Sequence, residues 1–428
     1  MANRMKHFKI QKNSSAIDEV IDMRLENLPP LTKVEIIVRT ISPYYCINAP
    51  QKLNKNCKWE SKNTFLSNND GLINLNTFPS LSGTYTGIYP MGCLTFLIPS
   101  EKNPLNKNPQ SNKTFLNEFC IFEITALIND KIVDQCRIKR FFMNKNIKHK
   151  PLKKSTFKAS FFYPENESNL PAIIVLSGSE GGIEKAQAIA QLLANHGFAT
   201  LAIGYFGIEN LTKDLSQIPL EIIEESISFL KSQKMVNSKH IGIYGRSKGS
   251  EFALLAASYF NEIKCVVVNS PSNVVYEGIS NKGLPTRTSS WSYRGKSINY
   301  FPFIFKDFIL SKITHKEFPI INENSSYEIP VENINGNILC IASSKDEVWN
   351  ALQASKRIQK RLAQYNFQYR FNSTYVENAG HMLTIPGQPN NRYKTTDKKL
   401  IMDDTYETWN RTVSYFKDNL KQNYTKSS

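Results

Sequence analysis

Ser247 stands between two glycines, in the run Gly245-Arg246-Ser247-Lys248-Gly249. This G-x-S-x-G pattern falls between an apolar run, IGIY, and a helix-forming run, EFALLAASYF. A strand that turns directly into a helix thrusts the serine hydroxyl outward on a strained backbone. Only small residues two before and two after it avoid a clash with the strand and the helix. A serine becomes a nucleophile when a base takes its proton. His381, in NAGHML after the run FQYRFNSTYV, is the candidate base. His315, the other histidine downstream of Ser247, lies in the more polar ITHKEF. An imidazole base needs a carboxylate to hold its tautomer. Asp346 follows the apolar run NILCIASS, with Glu347 beside it as the competitor.

The chain order Ser247, Asp346, His381 is the order used by α/β hydrolases. Such chemistry also needs backbone N–H donors for the developing oxyanion. The N–H of Lys248, at the start of a helix, is one candidate. Ser179, in the glycine-rich SGSEGG loop after PAIIVLSG, is the other. That loop lacks the G-x-x-x-x-G-K-[ST] and G-x-G-x-x-G patterns of phosphate-cradling loops.

These residues need a parallel sheet to carry them, and the second half of the chain reads as one. After residue 155 apolar runs alternate with helical patterns: PAIIVLSG, then EKAQAIAQLLANHG; FATLAIGYF, then IPLEIIEESISFLKSQ; HIGIYG, then SKGSEFALLAASYF. IKCVVVNS follows; then come NILCIASS, the helix ALQASKRIQKRLAQYN, the strand FQYRFNSTYV and a closing helix, DTYETWNRTVSYFKDNL. Such alternation predicts a mostly parallel sheet flanked by helices over residues 156–422. Residues 15–143 read differently. Short β-rich runs such as KVEIIVRT, CKWESKNTFL, GTYTGIYP, CLTFLIP and KIVDQCRIKRFFM recur between turn signals, which predicts an antiparallel sandwich. Residues 144–155, NKNIKHKPLKKS, read as a basic linker.

Composition narrows the classes further. The chain has 428 residues, 41% of them hydrophobic and 21% charged, which excludes a disordered chain and favours two or three domains. No apolar stretch reaches the roughly 18 residues of a membrane span, and MANRMKHFKI lacks the apolar core of a secretory signal. A soluble, cytoplasmic protein is expected. Seven scattered cysteines without a CxxC pair argue against a disulfide framework, and six histidines lack metal-ligand spacing. No metal and no cofactor is expected. The net charge of +16 suits polyanions, yet no basic run is interleaved with aromatics as a nucleic-acid groove requires, so nucleic acid is not expected as a partner.

The sequence resembles the acyl-CoA thioester hydrolase / bile acid-CoA:amino acid N-acyltransferase family over nearly its whole length. The resemblance rests on LENLPPLTKVEIIVRT, CKWESKNTFLSNNDGLINLN and GTYTGIYPMGCLTFLIP in the first part. In the second it rests on AQLLANHGFATLAIGYF, IPLEIIEESISFLKS, IGIYGRSKGSEFALLAAS, IPVENINGNILCIASSKDEVWNA and NAGHML. The family's nucleophile motif is similar to G-x-[S/C]-K-G, which Ser247-Lys248-Gly249 matches. Its acid lies in a D-D-x-x-W-like segment, read here as Lys345-Asp346-Glu347-Val348-Trp349, so Asp346 matches the second acid. Arg246 stands where a small or apolar residue is usual.

The resemblance implies an immunoglobulin-like N-terminal domain on an α/β-hydrolase domain, with acyl-CoA as substrate. The acyl group would go to water or to an amino acid; another ester or peptide substrate is the further alternative. An acyl-cysteine is a thioester that amines attack readily, whereas an acyl-serine is an oxyester better suited to hydrolysis. Ser247 therefore favours the thioesterase. Arg246, Lys248, Arg287 and Arg294 are candidates to meet the CoA phosphates. The aromatic-rich insertion at 273–335, with Trp291, Tyr293, Tyr300, Phe301, Phe303, Phe305 and Phe308, is a candidate acyl pocket or surface lid.

Overall fold

The computed structural model describes residues 6–42, 44, 46–48, 57–102, 119–302, 326–381, 383, 385–390 and 397–421. Phe303, Phe305, Phe308 and His315 lie outside the described residues. The chain divides into two compact units, Met1–Asn144 with Thr384–Thr405, and Lys145–Leu383 with Tyr406–Ser428.

The first unit is built on a seven-stranded sheet and a separate three-stranded one. The strand Lys33–Thr40 shows why: Val34, Ile36, Val38 and Thr40 point inward while the alternate residues face outward. It pairs antiparallel with Cys57–Leu66 on one side and Phe119–Ile128 on the other. Two expectations fail here. The first strand of this sheet, Ser14–Ala16, joins parallel to Lys131–Phe141, so the sheet is mixed. CLTFLIP is not one strand: Gly92–Thr95 is a single helical turn, and only Ile98–Lys102 is extended. Met91, at φ 61°, reverses the chain there, and its carbonyl accepts the N–H groups of Leu94 and Thr95.

The second unit carries an eight-stranded sheet. Its strands are β1 (Ile147–Lys153), β2 (Lys158–Pro164), β3 (Leu170–Leu176), β4 (Ala199–Gly204), β5 (Val236–Arg246), β6 (Ile263–Asn269), β7 (Asn337–Ser343) and β8 (Phe371–Val376), in the order β1-β2-β4-β3-β5-β6-β7-β8. From β4 to β8 all pairings are parallel; β1 and β2 are antiparallel additions. Every residue of β3 is buried, as a strand covered on both faces requires. The helices are α1 (Glu184–Asn195), α2 (Glu221–Lys231), α3 (Lys248–Tyr259), α4 (Ala351–Gln364) and α5 (Lys398–Leu420). The unit boundary falls within α5, between Thr405 and Tyr406. On α2 the buried positions Ile222, Ile223, Ile227 and Leu230 form one stripe. Gly197, at φ 83°, takes the left-handed position that ends α1.

The stretch expected as a basic linker, 144–155, is instead mostly β1. Its lysines and Pro151 read as loop because they blunt an exposed sheet edge, which needs the same residue types. Among the described residues no helix is long and apolar enough to cross a membrane.

Candidate active site

β5 ends at Arg246 and α3 begins at Lys248, leaving Ser247 alone at the turn with φ 56° and ψ −127°. This conformation is costly for a residue with a Cβ, and the close packing around it explains the glycines. A Cβ on Gly245 would lie 2.1 Å from the Gly249 carbonyl oxygen, and one on Gly249 would lie 2.2 Å from that of Ser177. Neither oxygen belongs to a side chain that can swing away. Gly249→Ala is therefore expected to destabilise the protein by about 1–3 kcal/mol, the usual penalty of overpacking, read as a lower urea midpoint. An unchanged midpoint would mean that the strand and helix are looser than they look.

His381 Nε2 lies 2.8 Å from Ser247 Oγ, and His381 Nδ1 lies 2.9 and 2.8 Å from the two carboxylate oxygens of Asp346. The serine and histidine are buried, with 6% and 3% exposed. Asp346 sits just beyond β7. Its Oδ1 also accepts the N–H groups of Val348 at 2.9 Å and Trp349 at 3.1 Å, which fixes the carboxylate. Glu347 holds a different part of the same histidine: its Oε2 accepts the His381 backbone N–H at 2.8 Å. The two neighbouring acids thus divide the work, one facing the ring and one the main chain.

The loop that carries His381 follows β8 and is tied to two other strand ends. Ser270 Oγ, just past β6, donates to the His381 carbonyl at 2.8 Å, and Asn269 Nδ2 to that of Leu383 at 3.0 Å. Ser343 at the end of β7 donates to the Ala379 carbonyl. Trp349 packs edge-on to the imidazole, with ring centroids 5.0 Å apart, and stacks on Tyr276 at 5.4 Å.

The other expected residues are placed as follows. Lys248 is the first residue of α3, so its N–H has no acceptor within the helix. Ser179 lies exposed in the turn after Gly178, and a Cβ on Gly178 would be 3.0 Å from Ser247 Cβ, so the loop runs against Ser247. The Lys248 side chain does not meet solvent: its Nζ lies 2.8 Å from both carboxylate oxygens of Glu251, and both side chains are buried. Glu251 also accepts from Trp291 Nε1 at 2.6 Å and from the Tyr276 N–H at 3.0 Å. Burial pushes the Glu251 carboxyl up, against the pull of the Lys248 charge. Arg246 is likewise buried, with 1% exposed, and ion-paired with Glu180. Neither Lys248 nor Arg246 is thus a solvent-facing contact for phosphates: both side chains are buried, Lys248 on the buried Glu251 and Arg246 on Glu180, whose carboxylate is partly exposed. Arg287 is exposed on the strand Pro285–Ser289, and Arg294 lies over the Tyr293 ring at 5.1 Å.

In the 273–335 insertion, the described part is partly core. Trp291 is fully buried and stacks on Phe252 of α3 with centroids 4.3 Å apart. Sequence reasoning missed Glu251, Glu180 and Trp349. The i, i+3 spacing of Lys248 and Glu251 was an available signal. Glu180 and Arg246 are 66 residues apart and gave none.

Residues 218–422 match the family model described as BAAT / acyl-CoA thioester hydrolase C terminal. Residues 18–154 match the acyl-CoA thioester hydrolase/BAAT N-terminal region. Acyl-coenzyme A amino acid N-acyltransferase 1 of Mus musculus is 26% identical, over 88% of this chain and 83% of its own length. Mitochondrial acyl-coenzyme A thioesterase 2 of Mus musculus is also 26% identical, over 83% of this chain and 77% of its own. Among solved structures, an alpha/beta hydrolase enzyme from a Medee basin deep-sea metagenome library aligns with a TM-score of 0.43 and 16% identity, over 65% of this chain and 100% of its own.

Proposed function

The chain belongs to the acyl-CoA thioester hydrolase/bile acid-CoA:amino acid N-acyltransferase family, and from that premise we propose that it is an acyl-CoA thioesterase working through a Ser247–His381–Asp346 triad. The observation that carries the reading is an oxygen nucleophile within 2.8 Å of an imidazole nitrogen, in a family named for acyl-CoA substrates.

His381 Nε2 takes the Ser247 proton as Oγ attacks the thioester carbonyl. The N–H groups of Lys248 and Ser179 receive the oxyanion. The tetrahedral intermediate collapses by breaking the C–S bond, and the imidazolium proton goes to the departing thiolate or to solvent. CoA thiolate leaves easily, so little acid help is needed. Water, deprotonated by His381, then attacks the acyl-serine and releases the acid with Oγ reprotonated. Asp346 keeps Nδ1 protonated and stabilises the imidazolium in both halves. The N-terminal unit is read, in the same proposal, as an immunoglobulin-like sandwich, which the alternating burial of Lys33–Thr40 supports.

The relatives include a thioesterase and an amino acid N-acyltransferase, each 26% identical, so the acceptor is the point to test. An acyl-CoA series of varied chain length, assayed with and without glycine or taurine, is expected to yield free acid at a rate the amine does not change. Amide as the main product would replace hydrolysis by transfer while leaving the triad in place.

A further inference from the structure

We propose that Glu180 and Arg246 are a positioning pair, whose ion pair, buried on the guanidinium side and partly exposed on the carboxylate side, fixes the 177–180 loop against the nucleophile and thereby aims the Ser179 N–H at the oxyanion. The inference rests on reading Ser247 as the nucleophile.

Arg246 immediately precedes Ser247, and its side chain is buried at the end of β5. A buried guanidinium is costly unless a carboxylate and good geometry compensate it. Its Nη2 donates to Glu180 Oε1. Glu180 is two residues past Gly178, where loop and elbow touch. The point where a Cβ on Gly178 would sit is 2.9 Å from Glu180 Oε2, 3.0 Å from Ser247 Cβ and 3.2 Å from the Arg246 carbonyl oxygen. Loop, carboxylate and nucleophile therefore converge on one spot.

The loop has other anchors. Tyr205 Oη donates to the Ser177 carbonyl at 2.8 Å. Lys185 Nζ, in the first turn of α1, lies 3.5 Å from Glu180 Oε1. Gly181 and Gly182 follow at φ 66° and 77°, in a conformation that gives the loop no stiffness of its own. Arg246 is covalently next to Ser247, so its ion pair couples the loop's place to that of the hydroxyl, beside the packing of Gly178 on Ser247. Burial pushes the Glu180 carboxyl up, but the charges of Arg246 and Lys185 outweigh it and hold it down to about 2. A carboxyl lowered in the folded state stabilises it above the unfolded value and loses that contribution only as pH falls toward the folded one. The pair therefore stays charged wherever a histidine base operates.

Removing one partner would orphan a buried charge and risk the fold, so the informative variant removes both: Glu180→Gln with Arg246→Gln. Glu180→Gln alone gives a comparison in which the cation remains. Thermal unfolding checks folding. Turnover of lauroyl-CoA gives kcat and KM, and a fluorophosphonate probe gives the labelling rate of Ser247. A phosphonyl oxygen uses the same oxyanion donors but needs no CoA. In the double variant kcat and the labelling rate are expected to fall together by roughly 10–100-fold, as for a misplaced catalytic group, with KM within about threefold. A folded double variant labelled at the wild-type rate would overturn the proposal and leave the nucleophile untouched. A wild-type protein that takes no probe at Ser247 would remove the nucleophile reading, and the pair's role with it.

Discussion

Ser247→Ala is expected to lower kcat for acyl-CoA hydrolysis by roughly 10⁴–10⁶-fold, with the fold intact. The size follows from the triad acting as a unit: without Oγ there is no acyl-enzyme, and His381 and the oxyanion donors are left with whatever water can do. The fold should survive because serine and alanine meet the same backbone strain at φ 56°, ψ −127°; both carry a Cβ there. Thermal unfolding within a few degrees of wild type would show this. Activity near the wild-type level would mean that another group attacks the substrate.

The second large effect separates the two acids beside His381. Asp346→Asn should reduce kcat by about 10⁴-fold, because an amide in that place can donate to Nδ1 and favour the wrong tautomer. Glu347→Gln should cost less than about tenfold, since a carbonyl oxygen can still accept the His381 N–H and only the charge assistance is lost. Steady-state kinetics on the two variants decide it. Equal losses would mean that the main-chain anchor matters as much as the ring contact, and a larger loss in Glu347→Gln would exchange the two roles.

How much of this was legible in the sequence depends on the distance over which each feature is specified. The elbow is mostly local: its pattern spans five residues and a Cβ on Gly245 would meet Gly249 within it, so the motif could be read with its reason, although Gly249 is also held small by Ser177 of the neighbouring loop. The buried strands β3 and β6 announced themselves as continuous apolar runs. β1 did not, because an edge strand bearing lysines and Pro151 has the composition of a loop and is defined only by its pairing with β2. Gly92–Thr95 misled in the other direction, since a short buried helical turn is as apolar as a strand. Arg246 and Lys248 looked like cations available to an anionic substrate. Their partners, Glu180 and Glu251, are set by the fold, and a charge cannot be counted as surface charge until its surroundings are known.

An acyl group carried by Ser247 is the intermediate on which the proposed thioesterase mechanism depends. Its most direct test is to mix the protein with an acyl-CoA, quench in acid within the first turnovers and map the digest by mass spectrometry. His381→Ala, which loses the base for acylation as well as deacylation, serves as a control expected to carry little acyl label. The expected result is the acyl mass on the peptide that contains Ser247, released as free acid by the wild type and absent from Ser247→Ala. Acyl mass on a cysteine-containing peptide, or steady product formation with Ser247 unmodified throughout, would contradict it.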